Sequence, residues 1–322
     1  VARVPSGVPD PTPTSDPNAL SLPDFYATLA ATGLIERLLV LARDEDLCPS
    51  GEDATTAVMG LGEAPIRAAV TFRERAVLAG MAALPDLVRV FGGGIAVEPI
   101  AADGDALRAG DAACVLAGPG SRVLTLERTL LNLVGRLSGI ATRTAAFVRA
   151  VEGTGARICD TRKTTPGLRA FEKYAVRCGG GASHRLSLAD AVLIKDNHLA
   201  GVGLDELAGV VTEAARKAGM MRTGAGGLSF VEVEVDSLEQ LERVLTIEPG
   251  LIDYVLLDNF TPGELRDAVA FRARAKSPVA FEASGGVTLG TVRDIAETGV
   301  ERISVGGLTH QAVSIDVGLD AA

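Results

Sequence analysis

The sequence predicts an α/β protein whose second half is built on a parallel sheet. Three observations predict it. Beyond residue 156, short apolar runs alternate with helical stretches at the spacing of strand–helix–strand units. Residues 54 to 123 instead mix short strand patterns with turns, an α+β arrangement with hairpins. Between the two lies an apolar stripe at helical spacing. The 322 residues suffice for one large domain or two moderate ones. With 47% hydrophobic residues, no Trp and 37 Gly, the expected core is closely packed Ala, Val, Leu and Ile.

Taken in order, residues 1 to 23 hold six of the fifteen prolines and little apolar periodicity, which predicts a disordered tail. Phe25 and Leu29, then Leu34, Leu38, Val40 and Leu41, mark two short helices. Ala68–Phe72 reads as a strand, Gly92–Gly94 as a turn, and residues 81 to 91 as a helix. Leu126, Leu130, Leu133, Val134 and Leu137 form the apolar face of a helix, and a second helix is expected to follow it to about Val151. Strands are then expected at Arg157–Asp160, Val192–Lys195, Phe230–Val235, Tyr254–Asp258, Val279–Ala283 and Arg302–Val305. Helices are expected between them at 167–178, 205–218, 237–246, 262–275 and 289–298. Six strands fit an incomplete barrel or a doubly wound open sheet. No GxGxxG follows the first strand, so nothing supports a Rossmann dinucleotide site.

Charge narrows the function. The formal net charge is -10, which argues against nucleic acid or an anionic membrane as partner. No apolar run reaches the ~18–20 residues of a membrane span. Cys48, Cys114, Cys159 and Cys178 show no CxxC spacing and read as free thiols of a reducing cytoplasm. Yet Arg157 to Lys195 holds eight Lys/Arg against three acids. A basic knot in an acidic chain predicts a pocket for a small, multiply charged anion. Arg169, Lys173 and Arg177 lie at helical spacing and are accounted for as a solvated face. Arg162, Lys163, Arg185 and Lys195 sit instead at strand ends or in Gly-flanked loops. Two like charges about 6 Å apart at an effective dielectric of ~20 repel by about 3 kcal/mol, a strain that an anion relieves.

In α/β barrels the chemistry lies at the carboxyl ends of the strands, and here every expected strand ends in polar or Gly-rich residues. Ser284-Gly-Gly286, expected to run straight into a helix from Thr288, and Gly306-Gly307 predict phosphate binding by exposed backbone amides. Glu234 and Asp258, at neighbouring strand ends, suit ribose hydroxyls, Mg2+ or a developing cation, and equally suit ion pairs with nearby Lys/Arg.

Several motifs together resemble the quinolinate phosphoribosyltransferase family. They are Glu127–Asn132, Leu137–Thr142, Asp160-Thr-Arg-Lys-Thr-Thr-Pro-Gly167, Lys173–Gly181, His184-Arg185, Ile194–His198, Val231-Glu-Val-Glu-Val235, Leu256–Phe260, Ala283–Gly286, Gly299-Val300 and Ser304–His310. The resemblance covers roughly residues 24 to 320. It implies an N-terminal α/β sandwich over 24–137, to which 311–322 returns, and an incomplete parallel α/β barrel over 138–310. It implies transfer of phosphoribosyl from phosphoribosyl pyrophosphate to quinolinate, giving nicotinate mononucleotide, pyrophosphate and CO2, with Mg2+, in NAD biosynthesis. It implies a homo-oligomer, a dimer or a hexamer, in which Arg128 reaches the neighbour's site, and it agrees with the cytoplasmic setting expected from the free thiols. Carried over, Arg128, Arg162, His184 and Arg185 bind the quinolinate carboxylates, and Lys163 and Lys195 bridge both substrates. Glu234 and Asp258 hold ribose and metal, while Ser284, Gly285, Gly306 and His310 cradle the 5′-phosphate. Gly307 stands where the family pattern leads one to expect Ala. The alternatives are a relative acting on another acidic heterocycle, a Schiff-base lyase using Lys195, and a non-catalytic sugar-phosphate-binding module.

Overall fold

The structure is a computed structural model that describes residues 16–60, 62–222 and 227–322. The tail expected over 1–23 falls outside these residues as far as residue 15. From Ser21 the chain is helical, because the Ser21 side chain accepts the amide of Asp24 and Pro23 sits in the first turn.

The described residues divide into two compact units, 21–145 with 163–181 and 307–322, and 16–20 with 146–162 and 182–306. The first opens with α1 (Leu22–Ala30), α2 (Leu34–Leu47) and α3 (Ala54–Met59). There follow β1 (Pro65–Phe72), β2 (Ala76–Val77), a 3-10 turn, α4 (Leu84–Val90), β3 (Ala96–Pro99), β4 (Ala106–Leu107) and β5 (Ala112–Pro119). Strands β1, β3 and β5 are antiparallel, and β2 pairs with β4 in a separate ribbon. Phe25, Leu29, Ile35, Leu39, Val70, Phe72, Leu87 and Leu116 form its core.

Next comes a single helix, α5 (Gly120–Ala150), where two helices were expected. Gly135 and Gly139, which weaken a helix in isolation, are needed here by packing. A Cβ on them would stand 2.6 Å from the Ile315 carbonyl oxygen and 2.0 Å from that of Val313. The returning C-terminal segment therefore lies against the helix backbone.

The second unit holds β6 (Arg157–Cys159). The chain returns to the first unit for α6 (Arg169–Cys178), then continues in the second through β7 (Val192–Ile194), α7 (Leu204–Met221), β8 (Val231–Val235), α8 (Leu238–Val244), β9 (Tyr254–Asp258), α9 (Pro262–Ala275), β10 (Ala280–Ser284), α10 (Val292–Ala296) and β11 (Arg302–Ser304). The short α11 (Gly307–His310) and β12 (Val317–Ala321) belong to the first unit, where β12 pairs antiparallel with β1.

The six strands of the second unit are parallel, in the order β6-β11-β10-β9-β8-β7. Sequence neighbours are spatial neighbours from β7 round to β11, and the first strand closes on the last. A doubly wound sheet would reverse direction at a switch point, so the order is that of a barrel, open between β6 and β7. Curvature shows directly: Glu232 of β8 and Glu282 of β10, two strands apart, both reach His184. One face of the strands is apolar, with Val233, Val255, Leu257, Phe281 and Ile303 side by side across the sheet, while the opposite face carries Glu232, Glu234, Glu282 and Arg302. The helices begin on sequence signals. Thr261 and Glu264 form a capping box ahead of Pro262, and Ser237 caps α8.

Two further expectations are corrected. The basic residues of α6 are not a solvated face: Lys173 is fully buried and Arg177 stacks 5.2 Å from the Phe25 ring centroid. Helix α6 packs against α1, α2 and α11 within the first unit, so little of it meets water. The helix expected from Thr288 starts only at Val292, because Thr288–Thr291 form a hydrogen-bonded turn first.

Candidate active site

The carboxyl ends of β7, β8 and β9 surround a cavity of about 320 Å³ lined by Asp196, Glu234, Asp236 and Asp258. Glu234 is the fourth residue of β8, and its side chain is 12% exposed in an ion pair with Lys195. Asp258 ends β9 and accepts a 2.7 Å bond from Asn259 Nδ2. Asn259 has φ +58°, a left-handed conformation that Asn tolerates at a cost, and its amide donates to the Ser284 carbonyl at 2.8 Å. The ends of β9 and β10 are thus tied together.

Beyond Ser284, Gly285 (φ +96°) has room for no other residue, since a Cβ there would stand 2.1 Å from Asn259 Oδ1. Gly286 (φ +58°) faces open space. Gly306 follows β11 by two residues.

On the basic side, Arg185 is 9% exposed and its Nη1 donates to the Ala191 carbonyl at 3.4 Å. Burial first, and then the Arg162 guanidinium, lower its affinity for a proton, while Glu232, Asp190 and Glu234 act the other way. Arg162 and Arg185 therefore repel each other within reach of Glu234. Neither has a salt-bridged carboxylate among the described residues, and Arg162 Nε is buried without a hydrogen-bond partner.

His184 lies behind this pair. Its Nε2 is 2.9 Å from Glu232 and 3.4 Å from Glu282, while Nδ1 accepts the amide of Arg185 at 2.7 Å. Glu282 in turn meets Arg302 Nε at 2.9 Å. Burial works against charge on His184, but Glu282 and Glu232 outweigh it and lift its pKa to about 9. The Arg185 amide pulls the other way, because it needs an unprotonated Nδ1. A proton on Nε2 is common to both ring states, so Nε2 donates to Glu232 in either, with Glu282 3.4 Å away. Burial, then Glu282, raise the pKa of Glu232. Burial would raise Glu282 too, but Arg302 and His184 hold it at about 2. His184 and Arg185 also line a cavity of about 600 Å³ that reaches the amino ends of the strands at Phe230, Tyr254 and Arg302.

The expected site residues thus fall into groups. Arg162, His184, Arg185, Lys195, Glu234, Asp258, Ser284, Gly285 and Gly306 belong to the barrel unit. Arg128, Lys163 and His310 belong to the other unit, all exposed: Arg128 on α5, Lys163 beyond β6, His310 at the end of α11. Within that unit the Thr309 hydroxyl donates to the Lys163 carbonyl at 2.6 Å, which joins the segments carrying Lys163 and His310. Sequence reasoning assigned no role to Asp196, Asp236, Asn259, Glu282 or Arg302, although Asp196, Asn259 and Glu282 stand among the polar strand ends. The signal for Glu282 was present: it is the one charged residue in the strand Ala280–Ser284.

Metal donors can be compared on chemistry. The donor atoms of His184, Glu232 and Glu282 lie within 4.8 Å of one another, but Nε2 carries a proton and Arg302 already pairs with Glu282. Glu234 and Asp258 offer hard oxygen atoms beside open space, which fits an Mg2+ that keeps most of its waters.

Residues 140–320 match the family model for the quinolinate phosphoribosyl transferase C-terminal domain, and residues 53–138 match that for the N-terminal domain. A nicotinate-nucleotide pyrophosphorylase (carboxylating) of Mycobacterium leprae is 46% identical over 272 residues, 84% of this chain and 91% of the relative. A probable enzyme of the same name from Bacillus subtilis is 39% identical over 259 residues, 80% of this chain and 84% of the relative. The solved structure of the Francisella tularensis nicotinate-nucleotide pyrophosphorylase superposes with a TM-score of 0.81 at 31% identity, covering 96% of this chain and all of that one.

Proposed function

The chain belongs to the quinolinate phosphoribosyltransferase family, and from that premise we propose how its residues carry out the reaction. The enzyme transfers phosphoribosyl from phosphoribosyl pyrophosphate to quinolinate with decarboxylation, a step of NAD biosynthesis. The observation that carries the assignment of roles is the Arg162–Arg185 pair. Two guanidiniums in mutual repulsion, without a salt-bridged carboxylate among the described residues, stand within reach of Glu234 and the acid-lined cavity. That is a place for a dianion beside a place for a polyol.

Arg162 and Arg185 hold the two quinolinate carboxylates, and Arg128 does so from a neighbouring subunit of a homo-oligomer. His184 acts through Arg185, since both its ring nitrogens already have partners. Glu234 and Asp258 face the ribose and stabilise the positive charge that develops on it as the ring nitrogen attacks the anomeric carbon. Lys195, paired with Glu234 here, is a movable point charge that the departing pyrophosphate draws over, together with Lys163. Ser284, Gly285, Gly306 and His310 receive the 5′-phosphate. Mg2+ held by Glu234 and Asp258 would supply charge neutralisation for the pyrophosphate oxygens. Once the ring nitrogen is bonded to ribose, the cationic ring accepts the electron pair left by the neighbouring carboxylate as CO2 departs. The protein has only to hold that geometry. Three of the four cysteines are buried and none is paired, which suits a cytoplasmic setting.

The test is to incubate purified protein with quinolinate, phosphoribosyl pyrophosphate and Mg2+ and to follow nicotinate mononucleotide by chromatography. Product that requires all three is expected. Folded protein that binds phosphoribosyl pyrophosphate and yields no product would end the assignment of quinolinate as acceptor. Lys163→Ala, at an exposed side chain, should nearly abolish turnover and leave the fold intact; activity within a few-fold of wild type would remove Lys163 from the mechanism.

A further inference from the structure

The segment that carries Arg185 has almost no secondary structure of its own, yet Ser183, His184 and Arg185 are 4%, 6% and 9% exposed. Side chains hold it in place. Asn18 exchanges two bonds with the backbone of Ser183: its Nδ2 donates to the carbonyl at 3.0 Å, and the Ser183 amide donates to Oδ1 at 2.7 Å. Asp160 accepts the amide of His184 at 2.9 Å, and Asp190 accepts those of Leu186 and Ser187 at 2.7 and 2.6 Å. The Arg185 amide is left to His184 Nδ1. His184 can accept it well only while its ring is held in one plane, and Nε2 against Glu232 and Glu282 fixes that plane.

Glu282 is itself fixed. Its second oxygen meets Arg302 Nε, and the Arg302 guanidinium lies over the Tyr254 ring at 4.3 Å. A continuous chain of contacts therefore runs from β11 through β10 to the backbone of Arg185. Burying so many charges is a weak way to stabilise a barrel core, since well-packed apolar residues do as well or better. Such a network makes sense where it fixes a geometry.

We propose that Glu282 and Arg302 are positioning residues for the dicarboxylate substrate: acting through His184, they set the backbone of Arg185 and hence the aim of its guanidinium. The proposal rests on the reading of Arg185 as a quinolinate ligand. Neither residue touches substrate. The network should thus act on one substrate, because His184, Glu282 and Arg302 do not line the Glu234–Asp258 cavity where ribose is read.

The experiment compares wild type, Glu282→Gln and Arg302→Lys in the full-length enzyme, by steady-state kinetics with each substrate varied and by calorimetric binding of quinolinate. Glu282→Gln keeps the shape but removes the charge, and its KM and Kd for quinolinate should rise about tenfold or more. Its KM for phosphoribosyl pyrophosphate and its kcat should stay within about threefold. Arg302→Lys keeps the charge but loses the guanidinium that meets Glu282 and stacks on Tyr254, so its KM and Kd for quinolinate should also rise, by less than those of Glu282→Gln, while its KM for phosphoribosyl pyrophosphate holds. Equal quinolinate affinity in wild type and Glu282→Gln overturns the proposal. So does a loss shared equally by both substrates, or failure of Glu282→Gln to fold, since the network then serves the fold alone. A wild-type protein that binds no quinolinate overturns the reading of the reaction itself, which is a different outcome.

Discussion

Glu232 and Glu234 stand two residues apart on β8, and by strand periodicity they face the same way. Glu232 is fully buried against His184, while Glu234 pairs with Lys195 beside an open cavity. The same side chain on the same face does two jobs because of one step in height. Deep in the barrel a carboxylate is enclosed by other charges and cannot move. At the carboxyl end it has one flexible partner, which a ligand can displace.

That contrast can be broken experimentally. The largest effect is expected at the open end. Glu234→Gln should lower kcat by roughly a hundredfold to a thousandfold, the scale of losing one electrostatic stabiliser, with the thermal midpoint unchanged. A shift in midpoint with retained turnover would reverse the two roles. Next comes the enclosed set. Arg302→Met leaves Glu282 buried beside His184 alone and should cost about 3–5 kcal/mol in urea unfolding. A cost below about 1 kcal/mol would mean that water reaches Glu282.

Between the two lies the turn after β10. Gly285→Ala forces a side chain into φ +96° and onto Asn259, which should cost about 1–3 kcal/mol. It should also raise the KM for phosphoribosyl pyrophosphate and leave that for quinolinate alone. The smallest effect is in pH. Glu282 is held at about 2, below the ordinary value of 4.5, so its contribution is complete above pH 4.5 and disappears as pH falls through 2. The stability gap between wild type and Glu282→Gln should therefore be constant from neutrality to pH 4.5 and shrink below it. A gap that already closes above pH 5 would show that Arg302 does not hold the carboxylate down.

The barrel strands were legible because each is a short apolar run, such as Tyr254–Asp258, ended by a charge or Gly and followed by a capped helix. The unbroken α5 was not, because Gly135 and Gly139 read as a break until the backbone near Val313 and Ile315 is seen against them. The delayed start of α10 was not either, because Thr288 could open a helix or a turn with equal local chemistry. Glu234 and Asp258 were legible as acids at strand ends, and they line one cavity. Glu282 and Arg302 were not, because their meaning lies in contacts across the barrel, between residues far apart in sequence.

The sequence by itself determined the six strands of the second half and their parallel direction, the basic segment and the acids at the strand ends. These follow from periodicity, capping and charge, which act over a few residues. Only the tertiary structure decided that the strands run in cyclic order from β7 through β11 to β6, that Lys173 is buried, and that both nitrogens of His184 are taken up inside the protein. Those depend on which side chains a curved sheet brings within 3 Å of one another, and desolvation then sets whether a charge is available to a ligand or spent on its neighbours.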